Sequence, residues 1–287
     1  MGSGFKTAVD TPRLSNGDFT RLSRFIYEEC GIKMPPTKKS MLEARLGKRL
    51  RELNFRSFAE YCGHLFSRSG EEERVKMIDL ATTNKTDFFR EADHFDILSQ
   101  RLLPEWRLNC SRSGARRLMV WSAGCSTGEE PYTLAMMLHE FKAGYDDFDY
   151  QILASDISTK VLEKAVLAIY REERIAPVPL HLQRKYLLRS RDRESGLYRV
   201  VPELRAKVRF RRINFMESNF GMVEKMDIIF CRNVIIYFDR PTQEKLLKRF
   251  CSHIATGGFL FMGHSETLSG FDLPLVQICP TVYRKVA

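Results

Sequence analysis

Val120-Trp121-Ser122-Ala123-Gly124-Cys125-Ser126-Thr127-Gly128-Glu129-Glu130 is the stretch on which the fold turns. An apolar run, Leu118 to Trp121, enters a turn of small residues containing Gly124, Ser126 and Gly128; after Pro131, Tyr132 to Phe141 reads as a helix. Strand, glycine turn and helix in that order form the unit on which nucleotide-type cofactors sit. Its charge is unusual. Helix N-termini attract anions, so a phosphate-cradling loop places a lysine or bare N–H groups there. Here Glu129 and Glu130 occupy that place, which suits a nucleoside with a cationic tail. The plainer alternative is that the acids only complement the helix dipole. For either acid alone both readings stand.

Downstream, Tyr150 to Ala154 reads as a strand ending at Asp156, where an acid reaches ribose hydroxyls in dinucleotide-type sites. Glu129 would repel the phosphates of ATP or NAD, and without Gly-Lys-Ser/Thr there is no P-loop. S-adenosylmethionine, with its ammonium and sulfonium, is the common cofactor whose charge matches. A helix from Ser158 to Ile169, strands at Val208 to Phe210 and Asp227 to Cys231, a helix from Thr242 to Ile254 and a strand from Phe259 to Met262 follow. That alternation implies a parallel, doubly wound, Rossmann-like sheet. Residues 186–210 break it: short apolar runs around Glu194-Ser195-Gly196 read as a small β insertion.

Upstream the pattern is helical. Phe19, Leu22 and Ile26 keep helical spacing before Gly31; Leu42, Leu46, Leu50 and Leu53 form one stripe; helices follow at about Ser57 to Phe66 and Glu71 to Leu80. The expected division is a helical domain over 1–81, an interdomain segment over 82–93 and a methyl-donor domain over 94–287. Helical spacing returns from His94 to Leu108, and Ser111 to Arg117 makes a basic loop.

The net charge of +10 points to a polyanionic or acidic partner. Between Lys33 and Arg56, eight basic residues face only Glu43 and Glu52, and Lys38, Arg45, Lys48, Arg49 and Arg56 share an arc beside the leucine stripe. Such runs are also ordinary solvated faces. Seven cysteines without a C-x-x-C pair argue against a disulfide framework and a zinc site, and fit a reducing cytoplasm. No apolar run approaches the roughly 18 residues of a membrane span, and the opening residues lack a secretory h-region. The six histidines are scattered without metal-ligand spacing, so no metal is expected. Asn214 and Phe215 suit an adenine edge and face, although Asn after a strand is also a turn former. Arg232, Asn233 and Tyr237 follow the run Ile228 to Cys231, where the ligand crevice of an open sheet lies; Asn233 as a cap and Tyr237 as a core residue are the alternatives.

Taken in order, these segments resemble the chemotaxis receptor methyltransferases of the CheR type. The resemblance is carried by Thr82-Thr83-Asn84-Lys85-Thr86-Asp87-Phe88-Phe89-Arg90, Trp121 to Tyr132, Ala154-Ser155-Asp156-Ile157, Phe230-Cys231-Arg232-Asn233-Val234-Ile235-Ile236-Tyr237-Phe238 and Gly263-His264-Ser265-Glu266. It implies a protein-glutamate O-methyltransferase that uses S-adenosylmethionine, releases S-adenosylhomocysteine and acts on the acidic helical methylation region of bacterial chemoreceptors. It also implies a cytoplasmic enzyme recruited to membrane receptor arrays without inserting into the membrane. Asn84, Thr86, Arg90, Ala123, Gly124, Glu129, Asp156, Asn214, Phe215, Asn233 and Val234 match cofactor-contacting positions; Arg90 and Tyr237 match positions near the departing methyl; the basic helix matches the receptor-docking helix. Some members tether a receptor pentapeptide through a glycine-rich turn in the β insertion. The corresponding turn here, Arg189 to Gly196, keeps only its last glycine, which counts against tethering. Two rivals are a nucleic-acid methyltransferase, suggested by the charge, and a non-catalytic cofactor-binding module. The chain lacks an Asp/Asn-Pro-Pro-Tyr/Phe sequence, and its basic excess lies on a helix rather than an aromatic-lined groove. Arg90, Asn233 and Tyr237 together count against the second rival.

Overall fold

The computed structural model describes residues 12–110 and 117–286. The loop expected over Ser111 to Arg117 falls outside the described residues except for Arg117, as do the opening residues. The chain divides into two compact units, one ending at Thr82 and the other beginning at Thr83.

The first unit is all helical: α1 (Asn16–Cys30), α2 (Lys39–Glu52), α3 (Phe58–Leu65) and α4 (Glu71–Ala81). Ser15 caps α1 by accepting the Asp18 N–H, and Gly31, at φ 72°, ends it. Leu42, Leu46 and Leu50 of α2 are fully buried with Phe58, Tyr61 and Met77. Two residues of the expected docking arc also serve this core. Arg45 Nη1 donates to the carbonyls of Leu80, Ala81 and Thr82, closing the end of α4. Arg49 forks onto Glu73, whose carboxylate also accepts the Tyr61 hydroxyl. A buried carboxylate needs such partners, so these two guanidiniums are turned inward; Lys48 and Arg56 are exposed and Lys38 is half-buried.

The second unit begins earlier than the expected interdomain segment allows, because Phe88 is buried in its core against Tyr170. Burying such a ring contributes about 1.5–3 kcal/mol. Next come α5 (Asp93–Ile97), a π turn (Leu98–Leu102), α6 (Leu103–Cys110), β1 (Leu118–Ala123), α7 (Glu129–Lys142), β2 (Tyr150–Asp156) and α8 (Thr159–Leu167). β3 (Ile169–Arg171), α9 (Glu172–Ile175), α10 (Leu180–Tyr186), β4 (Leu187–Arg189), β5 (Leu197–Val200), α11 (Pro202–Arg205) and β6 (Val208–Arg212) follow. The chain ends with β7 (Met226–Cys231), α12 (Arg240–His253), β8 (Ile254–Met262), β9 (Leu275–Cys279) and β10 (Val282–Lys285).

The main sheet has seven strands in the order β6-β2-β1-β7-β8-β10-β9. The first five are parallel, and β7 is buried along its whole length, as a strand covered on both faces must be. Asp227, 2% exposed, accepts the Met119 N–H and ties β7 to β1 at their entry ends. The sheet is mostly parallel, as a doubly wound sheet is, and turns antiparallel at its far edge, where β10 runs antiparallel to β8 and β9. The β9–β10 link, Pro280-Thr281, has Thr281 at φ 60° and lacks the Asn-Gly or Asp-Gly signature of a hairpin.

The insertion also differs from its expected 186–210. Its sheet, β3-β5-β4, starts at Ile169, and Val208 to Arg212 instead pairs with β2 in the main sheet. The helix read as running to Ile169 stops at Leu167 because Ala168 takes a left-handed φ of 56°. No glycine announces that turn. Among the described residues six cysteines are free thiols; of these Cys125 and Cys231 are fully buried, and burial pushes both thiols well above their ordinary value. No helix among the described residues is long and apolar enough to cross a membrane.

Candidate functional site

β1 pairs with β2 on one side and with β7 on the other, so the chain changes direction across the sheet at their carboxyl ends. Open α/β sheets bind ligands at such a switch point. The loop after β1 and the loop after β7 meet there. Gly124 has φ 89°, and a Cβ on it would lie 2.5 Å from Val234 Cγ2. Gly128, at φ 97°, is likewise crowded by the Tyr170 hydroxyl and Ala165. Both glycines are therefore required by conformation and by space.

The turn is pinned from three sides. The Gly124 and Cys125 N–H groups both donate to the Ser155 carbonyl. Asp156 accepts the N–H groups of Ser126 (2.9 Å) and Ser158 (3.0 Å), so its carboxylate closes the gap between the β1 and β2 ends. Ser126 Oγ donates to the Asn84 carbonyl, which brings the 84–90 segment onto the turn. Ile213 N–H donates to the Asp156 carbonyl, placing Asn214 beside that acid.

A second network surrounds Arg232. Its guanidinium donates to the Arg90 carbonyl (2.5 Å) and lies 3.0 Å from Glu130. The other Glu130 oxygen accepts the Ser122 hydroxyl at 2.7 Å. Burial pushes the Glu130 carboxyl above its ordinary value, against the pull of Arg232 and Ser122. Arg90 itself donates to the Lys85 carbonyl, between Phe89 at φ 53° and Glu91 at φ 56°. Glu91 accepts from Asn233 Nδ2, and Asn233 has φ 58°. Non-glycine residues in this conformation cluster at functional sites.

Glu266 holds the loop after β7. Its buried carboxylate accepts four backbone N–H groups, those of Gly263, Asn233, Val234 and Ile235, at 2.7–2.8 Å. It has the geometry of an anion cradle with the anion supplied by the chain.

Three of the expected residues have partners within the protein. Glu129 is 1% exposed, and its carboxylate is taken up by Thr127 Oγ1 (2.6 Å) and Arg174 (2.5 Å). The acid in the Arg90–Arg232 network is its neighbour, Glu130. The Phe215 ring packs with Phe220 and Phe250 in the core. Asn214 Oδ1 accepts the Met216 N–H, the turn-forming role, while its residue remains half-exposed. Tyr237 ends the 3₁₀ turn Ile235–Tyr237 after the same loop.

The fold also brings Glu91, His94 and His264 together. Both His94 ring nitrogens face protein groups, Arg232 at 3.2 Å and Thr281 Oγ1 at 2.7 Å. Burial and the Arg232 charge lower its pKa to about 4, and that guanidinium opposes a cation.

The crevice thus gathers carboxylates at Glu91, Glu130 and Asp156 round a turn without room for a side chain at Gly124. That donor set fits a nucleoside with a cationic tail. Sequence comparisons agree. The family described as CheR methyltransferase, SAM binding domain, matches residues 84–282, and the CheR methyltransferase all-alpha domain matches residues 17–82. A chemotaxis protein methyltransferase of Borreliella burgdorferi is 39% identical over 95% of this chain and 95% of its own length. That of Klebsiella aerogenes is 40% identical over 98% and 94%. The Escherichia coli protein of the same name is 41% identical over 94% and 91%.

Proposed function

This chain belongs to the CheR methyltransferase family, and from that membership we propose that it esterifies glutamate side chains of chemoreceptors. Dependence on S-adenosylmethionine and a place in chemotaxis come with the family. The acceptor is our inference, and Arg90 carries it: Arg232 is buried and committed to Glu130, whereas the half-buried Arg90 guanidinium beside that acid suits an anionic acceptor better than a cationic donor.

When bound, S-adenosylmethionine supplies a sulfonium-borne methyl; the acceptor oxygen bonds to that carbon as its bond to sulfur breaks, and S-adenosylhomocysteine leaves. A glutamate carboxylate is already ionised near neutral pH, so no general base is needed. What the protein provides is alignment and exclusion of water, which can lower a barrier by about 7–11 kcal/mol in favourable cases. Arg90 orients the acceptor and Tyr237 lines the methyl path. Asn84, Thr86, Ala123, Gly124, Asp156, Asn214, Asn233 and Val234 hold the nucleoside and methionine portions, with Phe215 contributing its backbone. Glu130 meets the cationic end, and Glu129 stands behind it. The exposed Lys48 and Arg56 of the helical unit, with Lys38, face the acidic receptor helix.

Incubation with tritiated S-adenosylmethionine and either a receptor fragment or nucleic acid tests this reading. Base-labile label on the receptor is expected, and Arg90→Ala should reduce it about 10²-fold. Label confined to nucleic acid overturns the proposal.

Cofactor affinity should also depend on pH through Glu130. Its pKa in the free protein is raised, and a bound cation favours the ionised form, so the bound pKa is lower. Affinity is then full above the raised value and falls as pH drops through it, by up to about tenfold per pH unit. Titration calorimetry across this range should show the fall, and Glu130→Gln should flatten it. An unchanged slope in Glu130→Gln would assign the effect elsewhere.

A further inference from the structure

Arg174 is a strongly engaged side chain near the crevice that no motif announced. It lies on α9, at the start of the insertion, and reaches back to two distant stretches of chain. Its guanidinium donates to Glu129 Oε1 at 2.5 Å, to Asp87 Oδ1 at 2.9 Å and to the Thr86 carbonyl at 2.5 Å. Four residues earlier, the Tyr170 hydroxyl donates to the Thr127 carbonyl at 2.8 Å, and the Tyr170 ring meets Phe88 edge-on at 4.9 Å. The short stretch 170–174 therefore grips the 86–88 segment and the 127–129 loop at once.

The chemistry of this arrangement is that of a clamp. Asp87 and Glu129 are like charges and the Thr86 carbonyl is a third acceptor, so the two stretches repel each other without a cation between them. A planar guanidinium can serve three acceptors in fixed directions, whereas an ammonium is a point charge on a flexible stem. Glu129 is 1% exposed and depends on that cation.

We propose that Arg174 is a positioning residue that sets the spacing between the two walls of the cofactor crevice, residues 84–87 and 124–129, without itself touching the cofactor. The inference rests on the reading that Asn84 and Thr86 hold S-adenosylmethionine. It makes the insertion a structural partner of the crevice through its first turn.

The experiment measures S-adenosylmethionine affinity by calorimetry, steady-state kinetics on a receptor fragment and thermal melting for five variants. These are Arg174→Met, Arg174→Lys, Glu129→Gln, the double variant Arg174→Met/Glu129→Gln, and Asn84→Ala as a control on the site. Arg174→Met should weaken cofactor binding about tenfold or more, with the loss in KM for the cofactor rather than in KM for the receptor and with a far smaller change in kcat. Arg174→Lys should fall between it and the wild type. The double variant removes the unpaired buried carboxylate, so it should recover melting temperature without recovering affinity, because Thr86 and Asp87 remain unheld. If affinity returns together with stability, or if Arg174→Met binds as the wild type does, the positioning role is wrong. Should Arg174→Met fail to fold, the double and lysine variants decide on the same criteria. Normal affinity in Asn84→Ala would instead refute the placement of the cofactor; weakened affinity there with a normal Arg174→Met refutes the clamp alone.

Discussion

Glu266→Gln is expected to weaken S-adenosylmethionine binding by about 10²-fold or more, although the side chain keeps its size. The carboxylate divides four N–H groups between its oxygens: Oε1 accepts those of Val234 and Ile235, and Oε2 those of Asn233 and Gly263. An amide offers one carbonyl oxygen and turns an NH₂ toward the other two donors. Two hydrogen bonds to a charged group are lost, at about 1.5–3 kcal/mol each, and two buried N–H groups face another donor. The loop cannot relax in place, because a Cβ at Gly263 would already lie 2.7 Å from Asn233 N, a measure of how closely the two backbones approach. The strain has to leave through Asn233 and Val234, which form the crevice wall. Calorimetry on Glu266→Gln, with melting curves to confirm that the rest of the unit stays folded, reads this directly. Wild-type affinity in a folded variant would show that the wall stands without its anion. Glu266→Asp retains the charge but is one methylene shorter, so it should recover only part of the binding.

The sequence was most readable where backbone geometry demands a particular residue. Gly124 and Gly128 sit at positive φ with no space for a side chain, and the apolar run into them could only be a strand. The central strand β7 is apolar through most of its length for a similar reason. Direction around a helix was harder to read. Glu129 and Glu130 are adjacent at the start of α7, and successive helical residues point about 100° apart. One is therefore directed to Arg174 and the other to Arg232, and composition cannot say which. The same holds for α2, where Arg45 and Arg49 share an arc with Lys48 yet turn onto α4 and Glu73. Long-range partners carried no spacing signal of their own. Arg174 and Glu129 are 45 residues apart, and Glu266 lies 31–33 residues from three of the N–H groups it collects. Arg174 has no local pattern, and the Gly263 to Glu266 stretch was legible only through the family resemblance; what selects both side chains is the contact itself.

Gly124→Ala should abolish cofactor binding at ordinary concentrations, and the geometry divides the loss into two parts that can be measured separately. The first is conformational: φ at this position is 89°, a region that L side chains rarely adopt, at a cost of about 1–3 kcal/mol. The second is steric: the new Cβ would fall 2.5 Å from Val234 Cγ2, and overpacking of this kind costs about 1–3 kcal/mol. Neither wall yields easily, since the Gly124 N–H is held by the Ser155 carbonyl and Val234 by Glu266. Relief must therefore separate the β1 and β7 loops and spoil the crevice between them. Adding Val234→Ala to Gly124→Ala removes Cγ2 and leaves the Val234 Cβ, 3.7 Å away, in ordinary contact. The double variant should regain the steric share of affinity and stability and keep the conformational loss. Calorimetry and melting curves on the two variants give both quantities. If Gly124→Ala binds S-adenosylmethionine like the wild type, the methyl donor does not rest on this turn, and the crevice between the β1 and β7 loops has another occupant.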